Sequence, residues 1–177
     1  MMIDKLRQAL INLNKEDQEL LLQDVHEASI TGRLVEHLAY TFSDFDYYID
    51  TQYNKRILDN EVVKKQMDIL FEKLPADRWP ITWDKNQKTV RKELLPDIIF
   101  HDRQSQNHNF LVIEIKKSTN KNASDREWDF VKLSEMTSRD LNYRFGAFIE
   151  LTTGKEYSSE KPFSITIFEN GTIIHKE

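Results

Sequence analysis

At 177 residues the chain is long enough for one domain with a sizeable core. Its 25 Lys and Arg against 30 Asp and Glu leave a formal net charge of −5, which argues against a protein that coats nucleic acid non-specifically but leaves room for a nuclease with its cations gathered in one cleft. Without cysteine there is no disulfide framework or thiolate zinc site, no apolar run nears the roughly 20 residues of a membrane span, and MMIDKLRQAL has no secretory h-region, so an intracellular protein is expected.

Ile3, Leu6, Leu10 and Leu13 recur at helical spacing and predict a first helix. Asn14 with Asp17 resembles a cap opening a second helix through Leu20, Leu21 and Val25. A third is predicted over 31–42, with Leu34, Val35, Leu38, Ala39 and Phe42 as its apolar stripe. YYIDTQYNK (47–55) mixes aromatic and β-branched residues in near alternation and predicts a strand. Over 60–74 the spacing of Val63, Met67, Leu70, Phe71 and Leu74 predicts another helix, stopped by Pro75. Strands follow at 94–101 and 110–116, separated by the wholly polar loop DRQSQNHN. A helix over 125–139, a strand FGAFIEL (145–151) and a hairpin over 163–177 turning at Asn170-Gly171 complete the chain. The order α, β, α, β, β, α, β, ββ describes an α/β fold, a mixed sheet with helices packed around it. One domain is expected, with N-terminal helices over 1–30, a core over 31–151 and the C-terminal hairpin.

In 110–116, Leu111, Ile113 and Ile115 share one face, and Phe110, Val112, Glu114 and Lys116 the other. A strand apolar on both faces is normally central in its sheet, so Glu114 and Lys116 are expected at the rim, where a cleft can sit. If His101 pairs with Phe110, paired residue numbers sum to 211 and Asp97 falls opposite Glu114. Directly opposed Cβ atoms lie about 4.5–5.5 Å apart. Two carboxylates that close repel unless a cation lies between them, and the favoured reading is a divalent metal shared by Asp97 and Glu114 with Lys116 beside it.

Pro96-Asp97 opening one strand and Glu114-Ile115-Lys116 closing the next resemble the PD-(D/E)xK signature of the restriction-endonuclease-like nuclease superfamily. IDTQYNK, and DFVKLSEMT followed by YRFGAFIEL, resemble a group of uncharacterised bacterial proteins within it. The superfamily core, an α-β-β-β-α-β unit, is similar to the predicted elements over roughly 31–151, with the helix over 60–74 as an insertion. The resemblance implies a phosphodiesterase using Mg²⁺, or Mn²⁺ in its place, held by Asp97, Glu114 and the Ile115 carbonyl. Lys116 would orient or help deprotonate the attacking water and offset transition-state charge. A glutamate on the helix before the sheet often completes such a site; Glu36 in GRLVEHLAY matches that position, although it lies off the apolar stripe of its helix. DNA in the bacterial cytoplasm is the implied substrate, and a homodimer is expected because related nucleases often dimerise.

Lys132, with Asp129, lies on the helix after the sheet, where the superfamily often carries a polar residue near the phosphate; an exposed i,i+3 pair is the plainer reading. Tyr53, Asn54, Lys55 and Arg56 are candidate backbone contacts, Lys55 foremost, against the plainer reading of a solvated strand end. His26, His37, His101, His108 and His175 show no metal spacing such as H-E-x-x-H, and His101 is expected at the surface. The alternatives are a non-catalytic nucleic-acid-binding module on the same fold and a protein-interaction domain with an incidental motif.

Overall fold

Apolar spacing in the first forty residues builds three helices. Helix α1 (Met2–Glu16) buries Met2, Leu6, Ala9, Leu10 and Leu13; α2 (Gln18–Leu22) is a short turn; α3 (Glu27–Thr41) buries Ile30, Leu34 and Leu38. The computed structural model describes residues 1–58, 61–80, 88–103, 108–138 and 141–177. The expected Asn14/Asp17 cap is not formed through the Asp17 side chain. Its carboxylate instead accepts from Arg33 Nε at 2.8 Å and meets His37 Nε2 at 2.7 Å, tying the start of α2 to α3. Helix α3 starts one turn earlier than its apolar stripe suggests, because the His26 imidazole caps it by accepting the Ala28 amide at 3.3 Å.

The strands are β1 (Tyr48–Thr51), β2 (Lys55–Leu58), β3 (Glu61–Lys64), β4 (Gln66–Leu70), β5 (Thr89–Glu93), β6 (Ile98–His101), β7 (Leu111–Lys117), β8 (Phe145–Leu151), β9 (Phe163–Glu169) and β10 (Thr172–Lys176). Six of them form a central sheet in the order β1-β6-β7-β8-β9-β10, while β2–β3 and β4–β5 are separate two-stranded ribbons. Neighbours in the central sheet run antiparallel except β7 and β8, which are parallel and joined through α4 (Ala123–Ser138). The architecture is thus mixed α/β, a mainly antiparallel sheet flanked by helices. Leu111, Ile113 and Ile115 of β7 face α1 and α3, in one apolar layer with Ile98, Phe100, Ala147 and Ile149. Ile99, Val112 and Phe148 face the other way, onto Trp128, Leu133 and Met136 of α4 and Met67 and Ile69 of β4. Among the described residues no helix is long and apolar enough to cross a membrane.

The helix expected over 60–74 is not present; Asn60 itself lies outside the described residues. In its place stand β3, β4 and a single 3₁₀ turn, Phe71–Lys73. Met67 and Ile69 are buried while Gln66 and Asp68 between them are not, a period of two that the helical template missed by passing over Ile69. Burying that alternation requires the partner strand β5, paired from Gln66↔Glu93 to Leu70↔Thr89, and this long-range pairing overrides the local spacing.

The strand expected over 47–55 breaks after Thr51, where Gln52 takes a left-handed turn (φ 48°). Only Ile98–His101 of 94–101 is strand, so Asp97 sits just outside its start. Helix α4 begins at Ala123, two residues earlier than expected; its expected end, Arg139, and loop residues 104–107 lie outside the described residues. The C-terminal hairpin turns as expected, with Asn170 and Gly171 both left-handed at φ 50° and 76°. His101 is buried against β1 rather than exposed, its Nε2 2.8 Å from Asp50 Oδ2 and the Tyr53 ring packed over it.

Candidate active site

Ile98↔Ile113, Ile99↔Val112 and Phe100↔Leu111 keep the sum of 211, so the register is the expected one and Asp97 lies one step beyond it, at the level of Glu114. The ladder stops there, and Asp97 continues it with its side chain: Oδ2 accepts the Ile115 amide at 2.8 Å. Phe110 does not share the face of Val112. It precedes the strand and packs into an aromatic cluster on the α3 side, its ring stacked 4.9 Å from Tyr47.

Glu114 points toward α4 and is only 1% exposed. Its Oε2 lies 2.7 Å from Lys132 Nζ, whereas Oε1 has no hydrogen-bond partner among the described residues. Lys132 is 2.8 Å from Asp129 Oδ1, one helical turn away. The other oxygen of Asp129, Oδ2, forms an ion pair with Lys116 Nζ at 3.0 Å, off the line of a hydrogen bond. Lys116 also reaches back to the Ile115 carbonyl at 3.0 Å and stands 3.8 Å from Glu27 Oε1. Three carboxylates, Glu114, Asp129 and Glu27, therefore converge on two ammonium groups. Asp97 and Glu27 face a cleft of about 270 Å³ that His26, Thr31, Gly32 and Gln52 also line.

Sequence reasoning therefore brings Asp97, Glu114, Ile115 and Lys116 to one place, and the structure adds Glu27. It does not bring Glu36. That residue is exposed and pairs with Arg33 on the surface. Nine residues along a helix make two and a half turns, which carries Glu36 about 13 Å from Glu27 and onto the opposite side. An acidic residue after a capping position is the signal that marks Glu27, and starting the helix at 31 hid it. Lys132 is not a phosphate-facing side chain; it and Asp129 do form the i,i+3 pair, but buried, with Glu114 as third member. Lys55 is exposed on β2, outside this cluster.

Burial pushes the Glu114 carboxyl well above its ordinary value; Lys132 opposes this, while Asp97 and Asp129 add to it. Burial likewise raises Asp97, against the Ile115 amide and the two lysines, and raises Glu27, against Lys116. For Lys116 and Lys132 burial alone would lower the pKa, but the surrounding carboxylates outweigh it and both are raised. A carboxyl raised in the folded state stabilises the fold at pH below its unfolded value, and that contribution is lost as pH climbs through the raised one. In EDTA, the contribution of this cluster to stability should therefore fall as pH rises above about 4. Asp97→Asn keeps an oxygen for the Ile115 amide and removes one of the repelling charges. It should stabilise the protein in EDTA by on the order of 1 kcal/mol, raising Tm, and flatten the pH profile. Melts showing Asp97→Asn less stable than the wild type would mark Asp97 as a structural ion-pair partner.

Among the described residues no group of three or more His, Cys, Asp or Glu is arranged to hold a metal ion by itself; lysine nitrogens stand between the acids. No protein-family model, curated protein or solved structure matches the chain.

Proposed function

We propose that the chain is a divalent-metal-dependent nuclease with a restriction-endonuclease-like fold, cutting phosphodiester bonds of DNA. The observation that carries this reading is Glu114, a fully buried carboxylate with one oxygen unpartnered, level with Asp97 just before the neighbouring strand and two residues before Lys116. Leaving a buried acceptor unmet costs about 1–3 kcal/mol, more when it is charged, and a hard divalent cation suits it. Chain order supports the same reading: with β2–β5 set aside, α3, β1, β6, β7, α4 and β8 follow α-β-β-β-α-β.

The donors fit Mg²⁺ or Mn²⁺, being all oxygen: Asp97, Glu114 and the Ile115 carbonyl, with Glu27 on the cleft wall. Bound there, the ion would acidify water and draw charge off the phosphate. Lys116 supplies a fixed cation between the Ile115 carbonyl, Asp129 and Glu27. There it would orient or help deprotonate the attacking water and offset developing charge on the phosphate oxygens. Asp129 aims Lys116, and Lys132 holds Glu114 in place.

The test is incubation of the purified chain with supercoiled plasmid and labelled oligonucleotides in Mg²⁺, Mn²⁺ or EDTA. Metal-dependent cleavage is expected; no cleavage of duplex, single-stranded or branched DNA overturns the reading. Glu27→Gln should shift the metal titration to higher concentration, whereas Glu36→Gln should leave cleavage within about twofold, since a surface substitution perturbs by about 0.5 kcal/mol or less. Equal effects of the two would remove Glu27 from the site. A second reading, a non-catalytic module on the same fold, is favoured by one contact: Lys132 already pairs with Glu114 at 2.7 Å. Calorimetry separates the two, because Mn²⁺ binding that Glu114→Gln abolishes belongs to the nuclease.

A further inference from the structure

We propose that the β2–β3 ribbon grips a DNA duplex beside the cleft, with Lys55, Arg56 and Lys64 taking backbone phosphates. The choice of partner rests on the nuclease reading; the surface itself rests on independent observations. Charge is segregated along the chain. Residues 53–93 carry ten Lys and Arg against seven Asp and Glu, a net of +3, while the rest carries fifteen against twenty-three, a net of −8. The insertion between β1 and β6 is thus net cationic in a net acidic chain.

Within that stretch, β2 and β3 pair only with each other. A lone two-stranded ribbon is marginal in water, so it is a poor structural element on its own account. Its register worsens this, because Lys55 lies directly opposite Lys64, with the Glu93 carboxylate offsetting part of their repulsion. Like charges facing across a ladder are destabilising, and a polyanion laid over them relieves the repulsion. Lys55 is exposed and has no ion-pair partner among the described residues. Lys64 pairs with Glu93 at 2.7 Å, both about half exposed, a contact worth little and readily exchanged for phosphate. Arg56, half-buried and opposite Val63, adds a cation one residue along.

The ribbon is rooted next to the cleft on both sides. The Gln52 amide donates to the Asp97 carbonyl at 3.1 Å, three residues before Lys55, and the Leu94 amide donates to the Lys65 carbonyl at 2.9 Å, three residues before Asp97. Three extended residues span about 10 Å, and each DNA strand offers a phosphate every 3.4 Å or so of axis. A backbone lying in the cleft therefore continues across the base of the ribbon within about three phosphates. The shape selects the substrate. A two-stranded ribbon fits the roughly 12 Å major groove of B-form DNA, and the deep, narrow major groove of A-form RNA excludes it.

The experiment measures binding of the full-length chain to a labelled 20-base-pair DNA duplex by fluorescence anisotropy in EDTA, across a series of salt concentrations. The triple variant Lys55→Ala, Arg56→Ala, Lys64→Ala is compared with a control that removes the same charge elsewhere, Lys15→Ala, Lys155→Ala, Lys161→Ala. Thermal melts check that both fold. Three lost phosphate contacts should lower the slope of log K against log salt by about 2.7 and weaken binding at least about tenfold, with the control near wild type. Equal loss in the control, no loss in the ribbon variant, or equal affinity for single strand and duplex overturns the proposal. Cleavage is read separately. A wild type that binds duplex through the ribbon but never cuts would retire the nuclease reading alone, and one that cuts with the ribbon variant binding normally would retire the ribbon alone.

Discussion

Glu114→Gln protein is expected to lose metal-dependent DNA cleavage by about a thousandfold or more while remaining folded. Gln conserves volume at a position with 1% exposure, and losing Glu114 leaves Lys132 still paired with Asp129 at 2.8 Å. The substitution therefore removes one ionised oxygen donor from the proposed metal set without orphaning a cation. Losing a single electrostatic stabiliser of a transition state typically costs 10²–10³ in rate, and loss of a metal ligand adds the weaker occupancy of the ion. Asp97→Ala and Lys116→Met should be comparably damaging for different reasons. Asp97→Ala should raise the metal concentration needed for half-maximal cleavage. Lys116→Met should leave that concentration nearly unchanged and lower the saturated rate, because in the proposed mechanism Lys116 acts on water and phosphate and not on the ion. Ca²⁺ should bind the wild type and support little turnover. Single-turnover rates measured across a Mn²⁺ titration separate these effects. A Lys116→Met enzyme at wild-type rate would remove Lys116 from the chemistry.

The parts of this site that were legible in the sequence are those fixed by period two and by antiparallel pairing. Once β6 and β7 are read as neighbours with His101 opposite Phe110, the constant sum places Asp97 opposite Glu114. Glu27 was hidden because the start of α3 depends on a histidine side chain folding back onto an amide, which apolar spacing does not register. Lys132 and Asp129 were visible as an i,i+3 pair, but helix spacing says nothing about what faces the pair; only the packing of α4 onto β7 turns a surface contact into a buried triad. The ribbons were missed for a related reason. Val63, Met67, Leu70 and Leu74 fit a helix as well as Met67 and Ile69 fit a strand, and the tie is broken by β5, more than twenty residues later in the chain.

Replacing Lys132 by Met should be among the most destabilising single changes in this protein. Lys132 is 7% exposed, and its ammonium is the sole partner of Glu114 among the described residues. Met fills the volume, so packing is nearly conserved and the electrostatic loss is isolated. Removing one member of a buried pair strands the other charge, at a cost of about 3–5 kcal/mol, or roughly 6–20 °C in Tm for a chain of this size. The direction with pH follows from the same carboxyl. Burial already holds Glu114 well above its ordinary value, and without Lys132 it should rise further, so the folded variant takes up a proton that the unfolded chain releases. Below the unfolded value of about 4.5, both states are protonated and the deficit due to Glu114 vanishes; as pH climbs through the raised folded value the deficit grows to its full size. Adding Glu114→Gln should restore most of the loss at neutral pH, because the stranded charge is gone, and the double-mutant cycle should return a coupling of about 2 kcal/mol or more. Urea melts of the wild type, both single variants and the double variant at pH 4.5 and pH 8 measure all of these. A Lys132→Met protein within about 1 kcal/mol of wild type at pH 8, or one that Glu114→Gln fails to rescue, would mean that Glu114 does not depend on Lys132 for its charge, and the positioning role given to Lys132 would fall.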